Sequence, residues 1–582
     1  MSKTQHPLEP KAAHKIFERG YNNLLILFIL PILLLLINNS WIFTDPFGKG
    51  IDPWVYTGYF LDFSQHSETF QGTYYGSRFG WILPGFFVYK IFPPLIANYL
   101  LHLIFFYAAL ISFYLVLKWT INERAALFSS LLMGTYGHFL SAMGWDYVDG
   151  AGITYLLLTM MMLTYAAKFR YQKFALVMAG VFFACMLHSN LFLVVLAPTF
   201  GAYYLHVSRM RSRGSWYRGL YSILGIIAAT SLLGCISYLV NHSFLFFLPS
   251  VKSALHLIGS PNPWRIEPNS WIFSRYHLML PALIFGGSIV TLFRGKGEKR
   301  GDGSVYGSFL QTNFIFFSLV MVFLELRGSP VLQLNYYASY LIPLMFLAFG
   351  SWFENTFQDL SAKRYFLVIF VTLAILLPAF GTHAMLPESR FLLELSFFLL
   401  AGLCIEFSIF EYRKRKPILI CLLIVVTFAF FNANLMKQRW GVDFGGKETT
   451  KDGFLAVVKS VNTIRKLDKE TQKKLWFWYN SDEDLGTVYR SIASTFLWGY
   501  RLVNEKFPET MDGKTYGRED LRSIRNIVIL SRDEKVYESA AEALNKIGLK
   551  THFVFEKKIQ QGGLDFTMTF IYIWEQGHRG GQ

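Results

Sequence analysis

The feature that most constrains this chain is a recurrence of apolar runs, each long enough to cross a bilayer, through its first 435 residues. A span needs roughly 20 mostly apolar residues, and on that measure about thirteen are read. They lie near residues 22–43, 96–118, 124–143, 148–167, 173–188, 190–207, 219–240, 276–293, 308–326, 336–353, 364–381, 391–411 and 417–435. In lipid every backbone polar group must be satisfied within its own segment, so each run is expected to be a helix. Composition agrees: 53% hydrophobic and 16% charged is too little charge for a soluble chain of 582 residues. The expected class is an α-helical polytopic membrane protein.

The net charge of +16 raises nucleic acid as a partner, but the distribution of that charge argues against it. The basic residues gather in short clusters between apolar runs: KFRYQK (168–173), SRMRSRGSWYR (208–218), RGKGEKR (294–300) and YRKRKP (412–417). That is the positive-inside pattern of cytoplasmic loops. With a basic N-terminus inside and an odd number of spans, the C-terminus falls outside and every one of these clusters falls on the cytoplasmic side. The first run, from Asn22 to about Phe43, is too long for a signal-peptide core and no A-x-A-like site follows it, so it reads as a retained helix. Cys185, Cys235, Cys404 and Cys421 all lie in apolar runs, which points to packing rather than to disulfides or a CxxC metal site.

This topology leaves four features on the outer side. They are a long first loop (44–95), a short acidic turn GWDYVDG (144–150), a loop from Asn241 to about Arg275, and a tail from about Lys437. The tail alternates. KSVNTIRKL suggests a helix, KLWFWYN and NIVIL strands, SAAEALNKIG a helix, and THFVFEKKI and FTMTFIYIW strands. Two domains are expected: residues 1–436 in the membrane, and 437–582 as a soluble α/β domain outside it.

In the first loop, Asp52-Pro53 suits a helix start, with Asp as N-cap and Pro at the first helical position. Tyr56, Tyr59, Phe60 and Phe63 follow at helical spacing, as on an aromatic face lying along the membrane surface. A capped interfacial helix accounts for this stretch without any chemistry. Asp146 and Asp149, three apart, share a face if their turn is helical, and either cap a span or serve proton transfer or ion binding. Outer cations are few: Arg78, Lys252, Arg265, Arg275 and Arg327. A guanidinium there pairs at the surface or holds a lipid phosphate through paired hydrogen bonds. His138 and His188 read as packing histidines, and no HxxH or HExxH spacing points to a metal. LWFWYNSDED reads as strand packing rather than as a sugar platform or an acidic nucleotide-sugar motif.

In order and sidedness these features resemble the GT-C superfamily of membrane glycosyltransferases, in particular the protein O-mannosyltransferases and lipid A aminoarabinose transferases. The matching stretches are GIDPWVYTGYF with Asp52, RFGWILPGFFVYKIFPP, WDYVDGAGITYLLL, and ELRGSPVLQLNYYASYLIPL before a Pro-containing helix. Two departures stand out. Many relatives have a Glu with a Lys or His where this chain has Gly76-Ser77-Arg78, and His188 stands near a frequent lysine.

The resemblance implies a polyprenyl-phosphate-linked sugar donor and transfer to a hydroxyl of a lipid, glycan or protein acceptor. The chemistry is a single inverting displacement on the outer face, with a carboxylate as base. It implies Asp52 as that base, with Asp146 and Asp149 orienting hydroxyls or sharing the role. Arg78 and then Arg327 bind the donor phosphate, and Tyr56, Tyr336, Tyr337 and Tyr340 line the lipid or sugar groove. Whether a divalent metal takes part stays open. A bacterial inner membrane is the expected setting, with the N-terminus cytoplasmic and the C-terminal domain periplasmic. A transporter or flippase of a lipid-linked sugar or polymer fits the same spans, but no charged relay or repeated broken helices are read in them.

Overall fold

The computed structural model describes residues 27–29, 51–169, 172–209, 216–259, 278–294, 302–357, 450–471, 475–479, 485–496, 501–503, 526–546 and 549–574. The expected spans at 364–381, 391–411 and 417–435, and all but three residues of 22–43, lie outside them. So do Arg265, Arg275, Cys404 and Cys421.

The helical part begins with α1 (Asp52–Leu61), α2 (Phe63–Thr69) and α3 (Phe79–Ile91), followed by α4 (Pro94–Thr120), α5 (Glu123–Thr135), α6 (Gly137–Gly144), α7 (Val148–Lys168) and α8 (Gln172–Leu187). It continues with α9 (Ala197–Arg209), α10 (Leu220–Asn241), α11 (Leu248–Gly259), α12 (Met279–Arg294), α13 (Asp302–Leu326), α14 (Asn335–Ala338) and α15 (Leu341–Phe357). Four segments among the described residues are long and apolar enough to cross a membrane: Pro94–Thr120, Val148–Lys168, Leu220–Val240 and Gly307–Leu326. The expected spans over 96–118, 148–167, 219–240 and 308–326 correspond to these.

Three expected spans are not continuous α-helices; one of them, 336–353, is α14 and α15 separated by a turn at Ser339-Tyr340. The run at 124–143 breaks at Tyr136, whose extended backbone separates α5 from α6. Gly134 and Gly137 flank the break, and both are poor helix formers. The run at 190–207 opens as a 3-10 turn, Leu191–Leu196, whose first residue follows Asn190; that side chain accepts from the Phe192 amide at 3.2 Å. The core of the helical part is drawn from α4, α5, α7, α8, α13 and α15, with Phe113, Met160, Phe314 and Met345 fully enclosed.

The C-terminal part holds a mixed five-stranded sheet in the order β2-β1-β3-β5-β4. Its strands are β1 (Leu475–Tyr479), β2 (Arg501–Val503), β3 (Asn526–Ser531), β4 (Lys550–Gln561) and β5 (Leu564–Trp574). β1 pairs with β2 and β3 in parallel, while β5 pairs antiparallel with β3 and β4. The central strands LWFWY and NIVIL are buried on both faces, which explains their near-continuous apolar character. Phe477 faces α16 (Thr450–Thr471) and α17 (Gly486–Phe496), whereas Trp476 and Trp478 face α18 (Val536–Lys546). The aromatics of β1 are thus core, not a platform. α17 and β2 are additions to the elements expected from the sequence.

The first segment departs from expectation in three ways. Ile51, not Asp52, is the N-cap of α1; it has helical backbone angles and no capping side chain, and Asp52 is already inside the first turn. The helix also lacks a single buried face. Every residue from Pro53 to Phe60 is buried, because α1 packs on α3 along one side and under α17 along the other. Phe63 belongs to α2 rather than to α1.

Candidate active site around Asp52 and Arg78

Asp52 sits half-buried at the start of α1, where an acidic side chain is favoured by the helix dipole. Its Oδ1 accepts the Tyr75 hydroxyl at 2.5 Å. Oδ2 has no hydrogen-bond partner among the described residues. The 3-10 turn Tyr75–Ser77 and the start of α3 bring Arg78 to the same place. Arg78 Nη1 donates to the Tyr56 hydroxyl at 2.8 Å. Its guanidinium carbon lies 5.8 Å from the Tyr56 ring centre, 4.9 Å from Tyr74 and 5.4 Å from Tyr147. At that range the ring faces attract the cation. Among the described residues no carboxylate forms an ion pair with Arg78, so its charge is caged by aromatics but not neutralised.

The tyrosine wall extends further. Tyr147 meets Tyr56 edge-on at 5.9 Å and Tyr336 at 5.4 Å, and Tyr336 lies 4.6 Å from Tyr337. Asp52 and Arg78 both lie close to Tyr56, Tyr74, Tyr147, Tyr336 and Tyr337. Opposite charges therefore share one tyrosine cluster without closing on each other. Burial, then the Asp52 charge, holds the Tyr75 phenol well above its ordinary value, and burial pushes Tyr74 up to about 12. Both hydroxyls stay protonated and can donate.

The other expected site residues are placed differently. Asp146 is wholly buried one layer in, with its carboxylate filled. It accepts from Thr57 Oγ1 at 2.6 Å, His102 Nε2 at 2.9 Å and Asn98 Nδ2 at 3.1 Å. This network ties α1 to α4. Asp149, also buried, accepts from Trp145 Nε1 at 2.7 Å within its own turn. Arg327 is exposed at the end of α13 and forms no ion pair among the described residues. Tyr340 is fully buried and its hydroxyl accepts from Asn190 Nδ2 at 3.0 Å. His188 pairs with Thr230 at 3.0 Å, and Lys252 is exposed on α11. Among the described residues no three His, Cys, Asp or Glu side chains gather as metal ligands.

Sequence reasoning passes over Tyr74, Tyr75 and Tyr147 as site residues, although two directly precede the Gly-Ser-Arg stretch and one stands between the two acidic positions. It also passes over Asn98 and His102. Their signal is a polar pair at i, i+4 in an otherwise apolar span, which must be satisfied inside the bundle.

No family model matches this sequence, and no curated protein matches it. Solved structures do. ArnT from Cupriavidus metallidurans bound to undecaprenyl phosphate is 10% identical and superposes with a TM-score of 0.55, covering 95% of this chain and 98% of that one. The apo state of the same protein gives 0.51 over the same shares, at 10% identity. The Archaeoglobus fulgidus oligosaccharyltransferase in its apo form is 13% identical over 90% of this chain and 71% of that one, at 0.47. The likeness to ArnT extends over nearly the whole of both chains, and this chain shares that protein's fold.

Proposed function

We propose that this chain is an integral-membrane glycosyltransferase that moves a sugar from a polyprenyl-phosphate donor to an acceptor hydroxyl on the outer side of the membrane. The observation that carries the reading is a carboxylate, Asp52, and an un-neutralised guanidinium, Arg78, set in one tyrosine cluster without an ion pair between them. The likeness of fold to ArnT, solved with undecaprenyl phosphate, supports the donor class.

The step needs a base at one end and positive charge at the other. The acceptor oxygen attacks the anomeric carbon, and the bond from that carbon to the phosphate oxygen breaks with its electron pair leaving on the phosphate. The acceptor proton passes to Asp52, whose Oδ2 is open while Tyr75 holds Oδ1. Arg78 meets the charge growing on the departing phosphate, and the protonated phenols of Tyr56, Tyr74 and Tyr147 are placed to donate beside it. Tyr336 and Tyr337 continue the wall toward the lipid or sugar, and Arg327 serves as a second phosphate contact. Asp146, filled by protein donors, and Asp149, held by Trp145, support the fold around the site, as does Tyr340. The setting is a bacterial inner membrane, with the C-terminal domain periplasmic and a lipid, glycan or protein as acceptor.

An assay of the purified full chain in detergent with polyprenyl-phosphate sugar tests this. Release of free polyprenyl phosphate is the expected result. Movement of the intact lipid across a reconstituted bilayer, with no release, would make the chain a transporter instead.

A further inference from the structure

The C-terminal domain does not merely sit near α1. Trp54, two residues after Asp52, is built into that domain's own core, 3% exposed and stacked on Phe454 at 6.3 Å and 21°. One turn on, a Cβ at Gly58 would lie 2.4 Å from the Thr495 carbonyl oxygen of α17, so α1 and α17 meet backbone to backbone. At the far end of α1, Arg465 of α16 donates to Asp62 Oδ2 at 2.6 Å and to the Leu61 carbonyl at 3.3 Å. Asp62 in turn caps α2 by accepting from the Gln65 amide at 3.3 Å, and Gln65 Nε2 reaches the Phe496 carbonyl at 3.3 Å. On the opposite side, Thr57 anchors α1 to Asp146.

The carboxylate thus rides on a ten-residue helix gripped at its start, middle and end by a domain that begins some 400 residues later in the chain. We infer that the C-terminal α/β domain is a brace for the Asp52 helix, with Trp54 and Arg465 as its positioning residues. Neither belongs to the tyrosine cluster around Arg78. Each acts by fixing where α1 lies, Trp54 near its start and Arg465 at its end, and small displacements of a reacting group are costly in rate. The kinetic consequence rests on the transferase reading; the grip itself does not.

The test uses the full chain and two variants, Arg465→Met, which keeps the apolar stem and loses both bonds, and Arg465→Lys. Amide exchange over residues 54–62 is expected to be roughly ten- to a hundredfold faster in Arg465→Met, the equivalent of losing one hydrogen bond to a charged group. Arg465→Lys should fall between it and the wild type. Turnover per folded molecule should drop in the same order, with KM for the donor lipid unchanged, which a merely destabilising substitution would not produce. Unchanged exchange over 54–62 would overturn the brace, as would faster exchange with undiminished turnover. Should the wild type prove inactive on the lipid donor, the transferase reading fails alone and the exchange result still decides the brace.

Discussion

The Tyr75 hydroxyl donates to Asp52 Oδ1 across 2.5 Å, joining the first turn of α1 to the turn that delivers Arg78. A carboxylate on a helix start would otherwise swing between rotamers. Here one oxygen is pinned by a phenol that burial and the Asp52 charge keep protonated.

Replacing that phenol should therefore cost rate more than binding. Tyr75→Phe removes one hydrogen bond to a charged group, worth roughly 1.5–3 kcal/mol, so kcat should fall about ten- to a hundredfold. KM for the donor should change little. Steady-state kinetics on purified protein check this, and a raised KM at unchanged kcat would show that Tyr75 binds substrate instead.

Arg78 should act on the phosphate end. Arg78→Lys keeps the charge but loses the planar fork that stacks among Tyr56, Tyr74 and Tyr147. It should retain part of the activity, while Arg78→Ala should lose about 10² or more in kcat/KM, as for a removed transition-state donor. Wild-type activity in both variants would mean that neither charge nor geometry at this position matters to the phosphate.

His66 makes the contact between α2 and the C-terminal domain sensitive to acid. Burial pushes its imidazole down to about 4, below the ordinary 6.5. Between those values the unfolded chain binds a proton that the folded chain refuses, so stability is complete above about 6.5 and is lost as pH falls toward 4. From pH 7 to pH 5 the loss is about 2 kcal/mol. Asn at 66 can replace the Nδ1 donor to the Asp62 carbonyl without titrating. Thermal unfolding in detergent should show a smaller acid loss for His66→Asn than for the wild type, and parallel curves would refute the assignment.

Asp146 and Asp52 should separate by phenotype. Asp146→Asn disturbs a buried carboxylate held by Thr57, Asn98 and His102, and removal of one partner from such a network costs about 3–5 kcal/mol. Its melting temperature should fall well below that of Asp52→Asn. Normal stability with abolished turnover in Asp146→Asn would return Asp146 to the reacting centre.

Asp52 and Arg78 stand out in the sequence for opposite reasons, a carboxylate before a proline at the edge of the membrane and a cation where cations are scarce. Their convergence needs no long-range information, since 26 residues of local chain carry it. The burial of α1 was not legible in the same way. Its aromatics read as an interfacial belt because the surface that covers them, α16 and α17, comes from residues 450–496, and nothing in DPWVYTGYFL announces that contact. α17 itself carries an i, i+4 signal in Val488, Ile492 and Phe496, whereas β2 is three residues long and too short for any periodicity. The Asp146 network was hidden for a related reason: Asn98 and His102 look like isolated polar residues until Thr57 and Asp146 close on them.

The most direct measurement is the rate at which purified, folded Asp52→Asn protein releases free polyprenyl phosphate from a polyprenyl-phosphate sugar, beside the wild type. The account predicts a melting temperature close to the wild type and a rate lower by roughly 10²–10⁴, the usual contribution of a positioned general base. Full release by a well-folded Asp52→Asn protein would contradict it.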